Sequence, residues 1–191
     1  GARVLIAARD GNGLDAVRIE LEEEFPDGEV RTCVADVADD EQRRELLDWV
    51  EDIGDGLNIL VNNAGGNLTK AAIDYSEDEW RGIFEVNLFS AFELARSTYP
   101  LLTKHAASCI VNVGSVSAIT HVRSGAPYGM SKAAMHQMTR NLAVEWAEDG
   151  IRVNAVAPWY IRTRRTSTKL TDPDYLDEVL LRTPMGRIGE P

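Results

Sequence analysis

Short apolar runs alternate with helical patterns along the whole chain, and that alternation restricts it to very few folds. Residues 3–8 (RVLIAA), 29–35, 57–61, 108–113 (SCIVNV) and 152–157 read as strands. Runs of this kind suit strands covered on both faces. Between them, residues 14–25 place Leu14, Val17, Ile19 and Leu21 at helical spacing, with Pro26-Asp27-Gly28 as a stop. Residues 39–53 form an acidic amphipathic pattern with Leu46, Leu47, Trp49 and Val50 inward. Ser76 and Glu79 have capping-box spacing and open a helix that carries Trp80, Ile83, Phe84 and Val86. Apolar positions continue through Phe89, Phe92, Leu94 and Ala95 to Tyr99-Pro100, and another long helical pattern runs from Tyr128 to about residue 149. Strands separated by helices pair in parallel through crossovers. The expected fold is α/β, a doubly wound parallel sheet with helices on both faces. With no repeat, linker or low-complexity tract, residues 1–191 are expected to form a single domain.

Composition excludes several functions. The chain has 191 residues, 44% of them hydrophobic, and a net charge of −11. That charge opposes a phosphate backbone, so nucleic acid is not an expected partner. No apolar run approaches the roughly 20 residues needed to span a bilayer, so no membrane partner is expected either. Cys33 and Cys109 lie in strand-like runs and read as buried free thiols of a reducing, cytoplasmic protein. His105, His121 and His136 lack ligand spacing, and no metal is expected.

In doubly wound sheets, ligands bind beyond the carboxyl ends of the strands. Asp36, Asn62-Asn63-Ala64-Gly65, Ser115 and residues 158–163 all follow strand ends, so they share one rim. The Tyr128 helix starts on the same rim. Tyr128 and Lys132 are four apart, on one helical face, and an ammonium beside a phenol favours the phenolate needed for acid–base work. Alone, such a pair is usually a half-buried Tyr beside a solvated Lys; sharing the rim with Ser115 is what gives it weight. Gly11-Asn12-Gly13-Leu14-Asp15-Ala16 follows a strand, opens a helix and has Asp36 some twenty residues on. It matches a dinucleotide fingerprint, and equally a polar turn.

Together these residues resemble the short-chain dehydrogenases/reductases, over the whole chain. The likeness rests on Asn62-Asn63-Ala64-Gly65, on Asn87 in Glu85-Val86-Asn87, and on Ser115 thirteen residues before Tyr128-x-x-x-Lys132. Ile151-Arg152-Val153-Asn154-Ala155-Val156-Ala157-Pro158 completes it. Glu145-Trp146-Ala147 and Thr183-Pro184-Met185-Gly186-Arg187 look like the tropinone-reductase-like members. The resemblance implies a Rossmann-like fold in which residues 3–8 are the second strand. The family's phosphate loop, first strand and first helix would precede residue 1, and its last helix and strand would follow residue 191. Gly11 to Ala16 then becomes the turn after strand two. The chain as it stands is expected to be inactive. An absent central strand would leave unpaired edges, so either strand two moves across to pair with the NNAG strand or the chain belongs to a longer protein.

The resemblance also implies roles. Tyr128 would be the general acid at the substrate carbonyl, Lys132 would lower its pKa and hold the nicotinamide ribose, and Ser115 would polarise the carbonyl oxygen. Asn87 would hold a proton-relaying water at a kink in its helix. Asp36 and Val37 would contact adenine, and Asn63, Ala64 and Gly65 would line its ribose. Pro158, Ile161 and Thr163 would face the nicotinamide and its carboxamide. Arg9, with Ala8 before it rather than an acid, would favour NADP(H) over NAD(H), although Asp10 adds an opposing charge. The implied reaction is hydride transfer between a nicotinamide and a small ketone or secondary alcohol, in a homodimer or homotetramer joined by the helices over residues 76–99 and 128–149, which include Phe89, Phe92, Met135, Met138 and Trp146. The alternative is a catalytically silent binding or oligomerisation module. Two positions depart from the family pattern. Trp159 replaces a usual Gly, as a lid residue or as a narrowed pocket, and Arg164-Arg165 is either an exposed basic pair or a site for an acidic substrate.

Overall fold

A computed structural model describes residues 2–191, apart from the side chains of Arg164 and Arg165. The suggestion of an acid-binding pair there lies outside the described residues. Strands β1 (Arg3–Ala8), β2 (Glu29–Val34), β3 (Ile59–Asn62), β4 (Ser108–Val113) and β5 (Ile151–Val156) alternate with helices α1 (Gly11–Glu24), α2 (Asp40–Ile53), α3 (Glu77–Phe84), α4 (Ser90–Leu102) and α5 (Ala126–Glu145). Helices α6 (Arg164–Leu170) and α7 (Pro173–Leu181) follow β5.

Every ladder is parallel, as the alternation requires. The ladders form two groups, β1–β2 and β3–β4–β5, with no strand pairing between them among the described residues. Strand β1 runs beside β2 from Arg3↔Glu29 to Ala8↔Val34 and does not cross to β3. Val4 of β1 and Ile59 and Val61 of β3 are exposed.

The helix boundaries follow capping chemistry. Spacing predicts α1 from residue 14, but it begins at Gly11 because the Asp10 side chain accepts a hydrogen bond from the Gly13 N–H at 3.2 Å. Val17 and Ile19, expected inward, are exposed, and only Leu14 of this helix is buried. Asp39 caps α2 through the Glu41 and Gln42 N–H groups, and the Ser76–Glu79 capping box is formed. Between α3 and α4 the helix widens into a π-helical segment, Glu85–Phe89. Helix α5 starts at Ala126, two residues before Tyr128, behind Gly125 at φ 84°. Strand periodicity does not show α6 and α7; Thr163 caps the first, and Asp172 with Pro173 opens the second.

The main core joins α4, β4, α5 and β5 through Ala95, Leu102, Ile110, Leu142, Trp146, Ile151 and Val153. A smaller one gathers Ala35, Val37 and Leu46, with Leu94 of α4 packed on it. A third, Leu170, Val179 and Ile188, carries Trp159, Tyr160 and Tyr175. Cys33 and Cys109 are free but half-buried rather than buried; each lies in a strand whose cover is partial. No described helix is long and apolar enough to cross a membrane.

Candidate active site

The carboxyl ends of the strands bring the rim residues together around α5. Lys132 is 3% exposed, and its Nζ donates to the Val113 carbonyl, at the end of β4, at 2.7 Å. An ammonium so placed has lost most of its water, and the carbonyl compensates part of that cost. One turn earlier on the helix, Tyr128 is half-buried. Its carbonyl accepts from the Ser131 hydroxyl at 2.9 Å, and that hydroxyl accepts from Asn87 Nδ2 at 3.2 Å.

Asn87 lies in the π-helical segment, at the expected irregularity of its helix, and is fully buried. A π-bulge turns one residue out of the regular ladder, and such bulges recur at functional sites. Here the side chain spans the turn after β3: Nδ2 donates to the Gly66 carbonyl at 2.9 Å and Oδ1 accepts from the Gly66 N–H at 2.8 Å. Gly65 fits beneath it, since a Cβ there would stand 3.0 Å from Asn87 Oδ1 and 3.7 Å from Lys132 Nζ. Gly65, Asn87, Ser131 and Lys132 thus form one polar cluster, with Tyr128 at its edge.

Ser115 directly follows Gly114 at the end of β4. Its hydroxyl accepts from the Ser117 N–H at 3.2 Å, shaping a short turn of residues 116–118. That turn packs on α5 one residue past Tyr128, where a Cβ on Gly129 would sit 3.2 Å from the Ser117 carbonyl. The Val116 N–H donates to the Pro158 carbonyl at 3.1 Å, drawing the segment after β5 against it. Gly114 is closely enclosed: a Cβ there would lie 2.2 Å from His136 Nε2.

The remaining candidates divide into two groups. At the ends of β1 and β2, Arg9 Nη1 is 3.5 Å from Asp36 Oδ2, with Arg9 74% exposed. Asp36 Oδ1 accepts from the Ala38 N–H at 3.0 Å, and Val37 is buried in the small core. Asn63 and Ala64 are exposed on the β3 turn. Ile161 pairs with Gly189, and Thr163 spends its hydroxyl on capping α6. Trp159 points toward the α7 core, where Nε1 donates to Thr183 Oγ1 at 2.9 Å and Arg182 lies over the ring.

The glycine motif does not form a phosphate cradle. Gly11 to Ala16 is the first turn and a half of α1, and the Asp10 carboxylate already occupies the helix N-terminus. A phosphate would meet a negative charge where it needs free N–H groups.

Several supporting contacts escape motif reading. Asn62 donates to Asn112 Oδ1 at 2.8 Å, Asn112 to Thr139 Oγ1 at 2.9 Å, and Thr139 to the Met135 carbonyl at 2.8 Å, locking β3, β4 and α5 together inside the core. A buried Asn within the apolar run SCIVNV was the available signal. The Tyr75 hydroxyl donates to the Leu68 carbonyl and accepts from the Lys70 N–H, and a Cβ on Gly125 would stand 2.2 Å from it. His136 is half-buried, and desolvation, then Arg140 and Lys132, hold its pKa below the ordinary 6.5.

Comparison with known proteins identifies the family and the fold. A family model described as enoyl-(acyl carrier protein) reductase matches residues 1–191. A tropinone reductase homolog of Arabidopsis thaliana is 45% identical over 160 residues, 83% of this chain and 60% of that protein. The chain therefore spans less than two thirds of that relative's length. Among solved structures, a gluconate 5-dehydrogenase from Burkholderia cenocepacia in complex with NADP and tartrate is 28% identical with a TM-score of 0.90, covering 100% of this chain and 74% of that one. RhlG of Pseudomonas aeruginosa, in an NADP active-site complex, is 32% identical with a TM-score of 0.91, covering 99% of this chain and 75% of that one. The match to the family model over the whole chain and these likenesses in sequence and fold show that the chain belongs to the short-chain dehydrogenase/reductase family.

Proposed function

We propose that the whole protein is an NADP(H)-dependent oxidoreductase that interconverts a small ketone and its secondary alcohol. One observation carries this reading: the buried Asn87 and Lys132 one helical turn from Tyr128, with Ser131 joining Asn87 to the Tyr128 backbone carbonyl. Tyr128 gives its phenolic proton to the carbonyl oxygen, and Ser115 donates to the same oxygen and holds it in place. Lys132 stabilises the phenolate left on Tyr128. Asn87 holds the path by which that phenolate is reprotonated. The nicotinamide, when bound, supplies the hydride.

NADP(H) fits the rim because Arg9 presents an exposed guanidinium where a 2′-phosphate would lie, and because the two solved relatives above were crystallised with NADP. Asp10, the opposing charge, is engaged in capping α1. Asp36, Val37, Asn63, Ala64 and Gly65 hold the adenosine half, and Pro158, Ile161 and Thr163 the nicotinamide half. Free half-buried cysteines suit a reducing compartment such as the cytoplasm. A homodimer or homotetramer is part of the same reading: Phe89 and Phe92 on α4 and Met130 and Val144 on α5 are exposed. Met135 and Trp146 do not contribute to that face, since both are buried within the chain.

The test is NADPH oxidation by the whole protein with a panel of ketones. Turnover that falls about a hundredfold or more in Tyr128→Phe supports the mechanism. Full rate in that variant rejects it, and nucleotide binding without turnover of any ketone points to a silent binding module.

A further inference from the structure

Arg43 on α2 is only 7% exposed, although no motif draws attention to it. Its Nη1 donates to the Val37 carbonyl at 2.5 Å and lies 3.4 Å from Glu85 Oε1, while Nη2 pairs with Asp40. Val37 belongs to the turn after β2, where the adenine end of the site lies. Glu85 is the first residue of the π-helical segment that carries Asn87. A buried guanidinium is retained only where its donors are met, and its planar fork fixes the relative position of the groups it meets.

We propose that Arg43 is a positioning residue that holds the Val37 turn and the Asn87 segment in register, so that one side chain sets both the adenine end and the proton-relay end of the site. The tie runs beside the packing of Leu94 of α4 on the Val37 cluster, and it adds direction to that apolar contact. Glu85 is 37% exposed and holds only the relay side of the tie. The proposal rests on the function proposed above.

The test compares Arg43→Lys, which keeps the charge and loses the fork, with Glu85→Gln, which keeps the shape and loses the charge. In the whole protein, Glu85→Gln lowers kcat about tenfold and leaves the KM for NADPH unchanged, whereas Arg43→Lys lowers kcat and raises that KM. Unchanged kcat and KM in both folded variants, with only a lower Tm, would overturn the proposal by reducing Arg43 to a structural ion pair. If the wild-type protein turns over no ketone, the proposed function fails while the tie remains testable without turnover. Adenosine 2′,5′-bisphosphate should then bind more weakly to Arg43→Lys and equally to Glu85→Gln by calorimetry. Amide exchange at Gly66, bonded to Asn87, should quicken in both, and unaltered binding and exchange would overturn the tie on their own.

Discussion

Arg9 and Asp36 leave the ends of neighbouring parallel strands and meet at 3.5 Å. The guanidinium is 74% exposed and the carboxylate 31%, so the pair is worth little to stability but sets where the positive charge stands. Replacing Arg9 with Ala should raise the KM for NADPH about tenfold or more, in line with the roughly 1.5–3 kcal/mol of a charge-assisted hydrogen bond. The KM for NADH should change little. Steady-state kinetics with both nucleotides decides it, and equal loss for both would remove the 2′-phosphate assignment.

Asn87 closes the turn after β3 through both Gly66 groups. Asn87→Ala leaves that N–H and C=O without their partner, at about 1–3 kcal/mol for each group that stays dry. The variant should melt several degrees lower than the parent, and Ser131→Ala should cost less because it removes one bond to Asn87. Thermal denaturation of both variants ranks them.

Gly114 has no room for a methyl group. Gly114→Ala would push against His136 Nε2 and the Val156 carbonyl, at 2.2 and 3.0 Å from the added carbon. Overpacking of this kind costs about 1–3 kcal/mol. Because the nearer obstacle is a side chain, Gly114→Ala/His136→Ala should recover part of the loss. A double mutant no more stable than Gly114→Ala would place the strain on the backbone.

His136 predicts an acid-side loss of stability. Its folded pKa is depressed, first by burial and then by Arg140 and Lys132. Between the unfolded value near 6.5 and the lower folded value, the unfolded chain therefore binds the extra proton. The contribution is fully present above about pH 6.5 and declines as the pH falls through that window. Denaturant titrations at several pH values should show a flatter profile for His136→Asn.

The doubly wound class was legible because the apolar period determines it, and the rim placement of Ser115 and Tyr128 because strand-end position does, whereas Asn87 came from the family resemblance. Arg43, Asn112, Ser131 and Tyr75 were not legible, because each acts through contacts with residues distant in sequence. The glycine pattern at Gly11 stayed ambiguous in sequence for a physical reason: its spacing suits a phosphate, but Asp10 next to it caps the helix instead. Val17 and Ile19 have the spacing of a buried face, yet periodicity cannot say how much of a helix its neighbours cover.

The unequal size of the apolar clusters also bears on how the chain comes apart. Each ladder has its own apolar cluster, three buried residues around the end of β2 and seven around β4 and β5. The smaller cluster, at the end of β2, offers less burial and is the part expected to open first. A dinucleotide lying along the rim would touch both halves and so act as a splint, delaying the loss of the weaker one. Pulse-labelled amide exchange with and without NADP should show protection gained chiefly in β1 and β2, far from the atoms that react.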